Sequence, residues 1–452
     1  MSAADLGASL PLWSVLPFAG LLASIALFPL FAPHFWHRHF GKVVALWGAA
    51  FAVPFLIVFR GDAARAVVHT YVADYLPFVV LLWGLFTVSG GLVLEGDLRG
   101  TPATNTALLG VGALLASWIG TTGAAMVLIR PLLRANAARR SRTHTVVFFI
   151  FLVANIGGVL TPLGDPPLFL GFLRGVPFFW TFRLALEMGV ALALLLPAYF
   201  LLDRRAWRRE PPEATAPPAG PRRPLRLRGL VNLPLLAGIV GAVILSALWR
   251  PGETTLFGAT VGVQELVRDG LIVALGLLSL ALTPRGLRRA NGFSWGPIAE
   301  VAILFAAIFA AMIAPLAILA AGERGALAGL VRAVDSPAAY FWATGLLSSV
   351  LDNAPTYLTF FAGALGRFSP GAPHGDALAA LLGAHGHYLE AISAGAVFMG
   401  ANTYIGNAPN FMVKAIAEEA GVEMPSFGGY VVRYALPFLL PVYVVLTFAL
   451  SL

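Results

Sequence analysis

Cysteine is absent from the 452 residues, which excludes a disulfide framework, thiolate metal sites and cysteine nucleophiles. Charge is scarce too: Asp, Glu, Lys and Arg make up 12% of the chain, about half the roughly 25% of soluble domains. An ordinary soluble enzyme is excluded on that ground. What fills the chain instead is apolar, with 58% hydrophobic and 12% aromatic residues and a mean hydropathy of +0.82. At roughly 20 apolar residues per span, the length accommodates ten or more helices. The composition predicts an all-α polytopic membrane protein with no separate soluble domain. The opening MSAADLGASL lacks a basic n-region, so no cleaved signal peptide is expected.

Lys and Arg outnumber Asp and Glu by 30 to 22, for a net charge of +8. The basic residues stand in short runs between apolar spans, a pattern of cytoplasmic loops and not of a nucleic-acid surface. Arg38 to Lys42, Arg130 to Arg142, Arg204 to Arg228 and Arg285 to Arg289, with Arg99, Lys414 and Arg433, hold 21 of the 30. This asymmetry predicts a multi-pass protein of the bacterial inner membrane, with the lipid bilayer as its constant partner and no nucleic acid.

Apolar segments lie near 11–33, 43–59, 71–94, 145–163, 184–202, 229–249, 270–283, 297–321, 390–402 and 429–451. Two further stretches, 104–133 and 337–366, are apolar but interrupted. The loops flanking 104–133 both need the cytoplasmic side, so that stretch reads as a re-entrant hairpin with Gly120-Thr121-Thr122-Gly123 near its tip. By the same parity 337–366 is a second hairpin entering from the opposite face, turning at Leu351 to Pro355.

An internal repeat recurs at a spacing of 242. Residues 161–169 read TPLGDPPLF and 403–411 read TYIGNAPNF, with four of nine positions identical. Each copy sets Gly and Pro inside an apolar span downstream of an Asn, Asn155 or Asn402. Pro removes an N–H and pushes its predecessor out of the α region, so each copy predicts a broken helix, over about 145–175 and 390–414. The Pro-, Ala- and Arg-rich stretch 203–228 reads as an exposed, flexible cytoplasmic linker. It divides the chain into two repeats of opposite orientation, 1–202 and 229–452. That layout belongs to secondary transporters, not to enzymes.

Non-helical backbone at membrane depth is tolerated only where it is buried or lines a wet cavity. Thr121, Thr122, Asn155, Thr161, Asn353, Asn402, Thr403 and Asn407 offer hard oxygens at these breaks, suited to a small cation. Asp165 and Asp352 add one carboxylate each, and an ionisable group inside a span is functional by default. The expectation is two cages. One combines Thr121 and Thr122 with Asp165, the other Asp352 and Asn353 with Asn407, and in each Na+ competes with a proton for the carboxylate. A structural alternative has the two Asp residues capping half-helix N-termini. Glu187 and Glu300 read as snorkelling residues near span ends, Arg174 as part of an aromatic interface belt with Phe178, Phe179 and Trp180, and Lys414 as a cytoplasmic helix end. His34, His37 and His39 are expected in a cytoplasmic loop, and His374, His385 and His387 in an outer loop.

The four motifs GTTG at 120–123, TPLGDPP at 161–167, LDNAPT at 351–356 and YIGNAPNF at 404–411 resemble the ion-transporter superfamily. That superfamily includes NhaD-type sodium/proton antiporters, arsenite efflux carriers, and sodium-coupled citrate and dicarboxylate carriers. The resemblance implies inverted repeats, a homodimer with an elevator-like step, and ion ligands at Thr121, Thr122, Asp165, Asp352, Asn353 and Asn407. The tips read Gly-Thr-Thr and Asp-Asn-Ala where dicarboxylate carriers have Ser-Asn-Thr. Two extra carboxylates favour a cation as cargo, so the first expectation is a Na+/H+ antiporter with no cofactor besides Na+. The alternatives are a Na+- or H+-coupled carrier of citrate or a dicarboxylate, and an arsenite-type efflux carrier.

Overall fold

The computed structural model describes residues 3–215 and 223–449. It is all-α apart from two short antiparallel ribbons, Val93–Glu95 with Arg226–Arg228 and Glu253–Leu256 with Ala259–Gly262. Five helical runs are long and apolar enough to cross a membrane, or six when the bent pair Gly296–Ala311 and Ile313–Ala320 is taken as one. Other apolar segments miss that length because they are broken into pieces of 8 to 17 residues, below the roughly 20 that a span needs. The protein is a multi-pass membrane protein. Its outward faces carry exposed Phe31, Ile57, Leu248 and Phe448, the apolar surface that lipid covers.

Two helical hairpins are built by the same local chemistry. The first, Pro102–Ile119 and Thr121–Ala135, starts on Thr101, whose hydroxyl accepts from the Thr104 N–H at 3.2 Å, with Pro102 at the first helical position. The second, Pro337–Val350 and Asn353–Phe368, starts on Ser336, which accepts from Ala339 in the same way, followed by Pro337. Ser or Thr at the cap with Pro next is the preferred helix opening. The first hairpin turns at Gly120, whose φ of +80° favours glycine. The second turns at Asp352, which caps the following helix by accepting from the Ala354 N–H at 3.0 Å.

Two broken helices complete the interior. In the first, Thr143–Leu152 gives way to a 3-10 turn at Ile156–Val159 and resumes at Pro166–Leu173. In the second, Gly386–Met399 ends in a 3-10 turn at Gly400–Asn402 and resumes at Ala408–Glu419. Asp165 and Asn407, each just before the resumed helix, are extended at φ −141° and −154°, as residues at the N-cap position commonly are; Asp165 also precedes Pro166, which disfavours the α region for it. The breaks exchange partners: Asn353–Phe368 packs on Pro166–Leu173, and Ala408–Glu419 on Thr121–Ala135. The remaining long helices, among them Pro33–His69, Leu76–Ser89, Asn232–Leu248 and Val263–Leu282, flank this interior.

Two expectations need correction. His34, His37 and His39 belong to the helix Pro33–His69, not to a loop, because nothing in 33–42 breaks a helix once Pro33 has started it. That helix kinks at Arg60, with φ 44°, and passes through a π-helical turn at Thr70–Tyr75 into Leu76–Ser89. The linker is partly ordered: 203–207 finishes the helix Ala185–Trp207, and Arg226–Arg228 pairs with the first half. Residues 216–222 of the linker, and the end of the last apolar segment past 449, lie outside the described residues.

Candidate transport site

The four breaks meet at one carboxylate. Asp165 Oδ1 accepts from the Thr121 hydroxyl at 3.0 Å and from Asn407 Nδ2 at 2.9 Å, while Oδ2 accepts from Asn353 Nδ2 at 2.5 Å. Thr121 and Asn353 open the return helices of the two hairpins, and Asn407 stands 242 residues after Asp165. All four side chains are buried. The expected division into two cages is therefore corrected: Asn353 and Asn407 bind Asp165, not Asp352. Asp352 accepts the Ala354 N–H, which is the capping alternative, whereas Asp165 caps no helix.

Four half-helices begin at this point, with N-termini at Thr121, Pro166, Asn353 and Ala408. Three of the four have no side-chain cap, but prolines and backbone carbonyls take up most of their N–H groups: Pro166, Pro167 and Pro409 have none, and the Thr121, Ala124, Leu168, Phe169 and Asn410 N–H groups donate to Gly164, Gly120, Asp165, Asp165 and Asn407 carbonyls. Each N-terminus carries roughly half a positive charge. Their dipoles oppose the negative charge of the two carboxylates in part. Asn353 Oδ1 and Asn407 Oδ1 are buried without a hydrogen-bond partner, two unsatisfied oxygens beside a carboxylate. Such groups call for an explanation, and a small hard cation satisfies them. Among the described residues no three His, Asp or Glu side chains gather as a metal site, so amide and hydroxyl oxygens would complete any cation shell.

A cleft of about 20 Å³ adjoins the cluster, lined by Leu81, Leu82 and Leu85 on one side and by Thr121, Thr122, Asp165 and Phe169 on the other. It holds one water-sized species. Thr122 thus borders the site without bonding to Asp165. Asn155 supports it from behind: its Oδ1 accepts from Asn407 at 3.3 Å, and its Nδ2 donates to Ile150 O and to Asn410 Oδ1.

Thr161, Asn402 and Thr403 lie outside the cluster and hold its backbone. The Thr161 hydroxyl donates to Ser117 O and accepts from the Leu163 N–H, and the Thr403 hydroxyl donates to Ser349 O and accepts from Ile405 and Gly406. Asn402 donates to Ser349 Oγ. Ser117 and Ser349, three residues before each hairpin turn, and Asn410 had not been singled out from the sequence. Their signal was position: Asn410 lies within the YIGNAPNF motif, and the two serines occupy matching places before Gly120 and Asp352.

Other assignments change. Arg174 is no belt residue; its Nε and Nη2 grip both oxygens of buried Asp74 at 3.0 and 2.8 Å. Glu187 is buried while Glu300 is exposed, and Lys414 pairs with Glu418 at 2.7 Å. His374 opens the helix His374–Gly383 and His387 lies within Gly386–Met399, so neither stands in a loop, and His385 is the cap before the latter; His374 donates to Arg174 O, and His385 stacks on Phe368.

Apolar helices broken around a buried carboxylate define a multi-pass membrane protein with an interior polar site. A family model described as "Putative citrate transport" (CitMHS_2) matches residues 7–450, and the chain belongs to that family. No curated protein matches it.

Proposed function

We propose that the protein is a secondary transporter carrying a small organic anion of the citrate class, coupled to Na+ or a proton held at the Asp165 cluster. The observation that carries this reading is the convergence of Thr121, Asn353 and Asn407 on Asp165 at the start of four half-helices. The dipoles of four converging helix N-termini favour an anion nearby, and the unsatisfied Asn oxygens suit the coupling cation. The family description names citrate. The recurrence of hairpin and break in each half supports two repeats of inverted orientation and alternating access between the faces; a homodimer in a bacterial inner membrane is part of the same proposal and rests on the resemblance to the ion-transporter superfamily.

One observation favours a second reading, Na+/H+ exchange without an organic cargo: the cleft at the cluster is about 20 Å³, far below the roughly 300 Å³ of organic-ligand pockets. Uptake of labelled citrate into proteoliposomes under imposed Na+ or proton gradients separates the two. Gradient-driven, saturable citrate accumulation supports the first. Na+-dependent collapse of a pH gradient with no citrate flux supports the second, and the absence of both overturns the pair.

A further inference from the structure

We propose that Asp74 and Arg174 form a strap that fastens the outer end of the first broken helix to its flanking helices, and that the strap opens during transport. The proposal rests on the transporter reading but not on the identity of the cargo. The helix Pro166–Leu173 begins next to Asp165 and ends next to Arg174, so at 1.5 Å per residue the two are linked by a rigid rod of about 13 Å. At its far end Arg174 makes a two-pronged ion pair with Asp74, whose side chain is 7% exposed.

Asp74 stands on a fixed platform. It sits in the π-helical turn Thr70–Tyr75, a feature often found at functional positions. The Tyr71 and Tyr75 hydroxyls flanking it donate to Ala306 O and Ala302 O at 2.7 and 3.0 Å. A second contact grips the same rod halfway along: the guanidinium of buried Arg268, bonded to Asp269, lies 5.8 Å over the Phe169 ring.

The cleft beside Asp165 has Leu81, Leu82 and Leu85 on the platform side and Pro166 and Phe169 on the rod side. Widening it separates the two walls, and the ion pair bridges them. Motion that carries the whole rod, its Arg174 end included, away from the platform breaks it.

Because the chain has no cysteine, a single Leu82→Cys reports on the cleft directly. The experiment compares its labelling rate by a small maleimide in otherwise native protein, in Asp74→Asn and in the charge exchange Asp74→Arg with Arg174→Asp, all on monodisperse protein. The expected result is a rate about tenfold or more higher in Asp74→Asn, as a released two-state element gives, and return toward the native rate in the exchange. Should Asp74→Asn not fold, Arg174→Gln carries the test, since that side chain is 28% exposed. A native labelling rate in the single variants, or an exchange as fast as Asp74→Asn, overturns the strap. Absence of citrate uptake by the otherwise native protein, with the labelling shift intact, counts against the cargo reading and leaves the strap supported.

Discussion

Replacing Asp165 by Asn removes the charge at the centre while keeping the shape, and the structure indicates how the neighbours respond. The new amide keeps its oxygen toward Thr121 and Asn407, which leaves its NH2 group facing Asn353 Nδ2. Asn353 has an unused Oδ1 and accepts that donor after turning its amide over. Three charge-assisted hydrogen bonds then become neutral ones, a loss of roughly 1 kcal/mol each or about 3 kcal/mol in total. Against this, the variant no longer buries an ionised carboxylate, a cost of several kcal/mol in its own right. The two terms nearly cancel, so the melting temperature in detergent should move by only a few degrees. Cation binding behaves differently. A carboxylate about 4 Å from a unit charge at an effective dielectric near 20 contributes about 4 kcal/mol, so affinity for the coupling ion should fall about a thousandfold. The assay pairs thermal unfolding with gradient-driven uptake in proteoliposomes. Uptake near the native rate would refute the role of the charge, and unfolding of the variant would refute the hydrogen-bond exchange.

Further outcomes follow from the supports around the cluster. Thr161→Val and Thr403→Val each strip a buried backbone carbonyl of its donor and buried N–H groups of their acceptor; each should cost about 1–3 kcal/mol, read as a lower melting temperature, with Thr→Ser largely neutral. Gly164→Ala and Gly406→Ala place a Cβ 2.0 Å from Gly158 O and 2.5 Å from Gly400 O, backbone atoms that cannot step aside, so folded yield on size exclusion should collapse for both. Asp203→Asn leaves buried Arg139 with Glu210 at 3.8 Å as its remaining charge partner and weakens the bonds from Asn105 and His144; a loss toward the lower end of about 3–5 kcal/mol should appear as poor recovery of monodisperse protein.

Much of the interior was legible because glycine and proline override hydrophobicity. Pro166 and Pro409 sit in the first turn of a helix, where proline is best tolerated, and each follows a Gly two or three residues earlier, so the two breaks could be found and aligned at a spacing of 242. The choice of partners was not legible. Pairing residues within each half joined Asn407 to Asp352, whereas the fold exchanges partners between halves and brings Asn353 and Asn407 to Asp165 across 188 and 242 residues. That exchange is a property of tertiary packing and leaves no local trace. The same holds for Arg174 and Asp74, 100 residues apart: each looks like an isolated charge at a span end until the helices are set side by side. His34, His37 and His39 misled in the other direction, because polar residues end an apolar run without ending the helix that carries it.

The most direct test of the Asp165 cluster as the place where cargo and cation meet is a thermal-shift titration of the purified protein with citrate, with and without Na+ and at two pH values. Ligands that bind only the folded state raise its stability by RT ln(1 + [L]/Kd). The expected result is a citrate-dependent rise in melting temperature that requires Na+ or the lower pH and vanishes in Asn407→Leu. A citrate response that is unchanged in Asn407→Leu, or that ignores both cations, would contradict it.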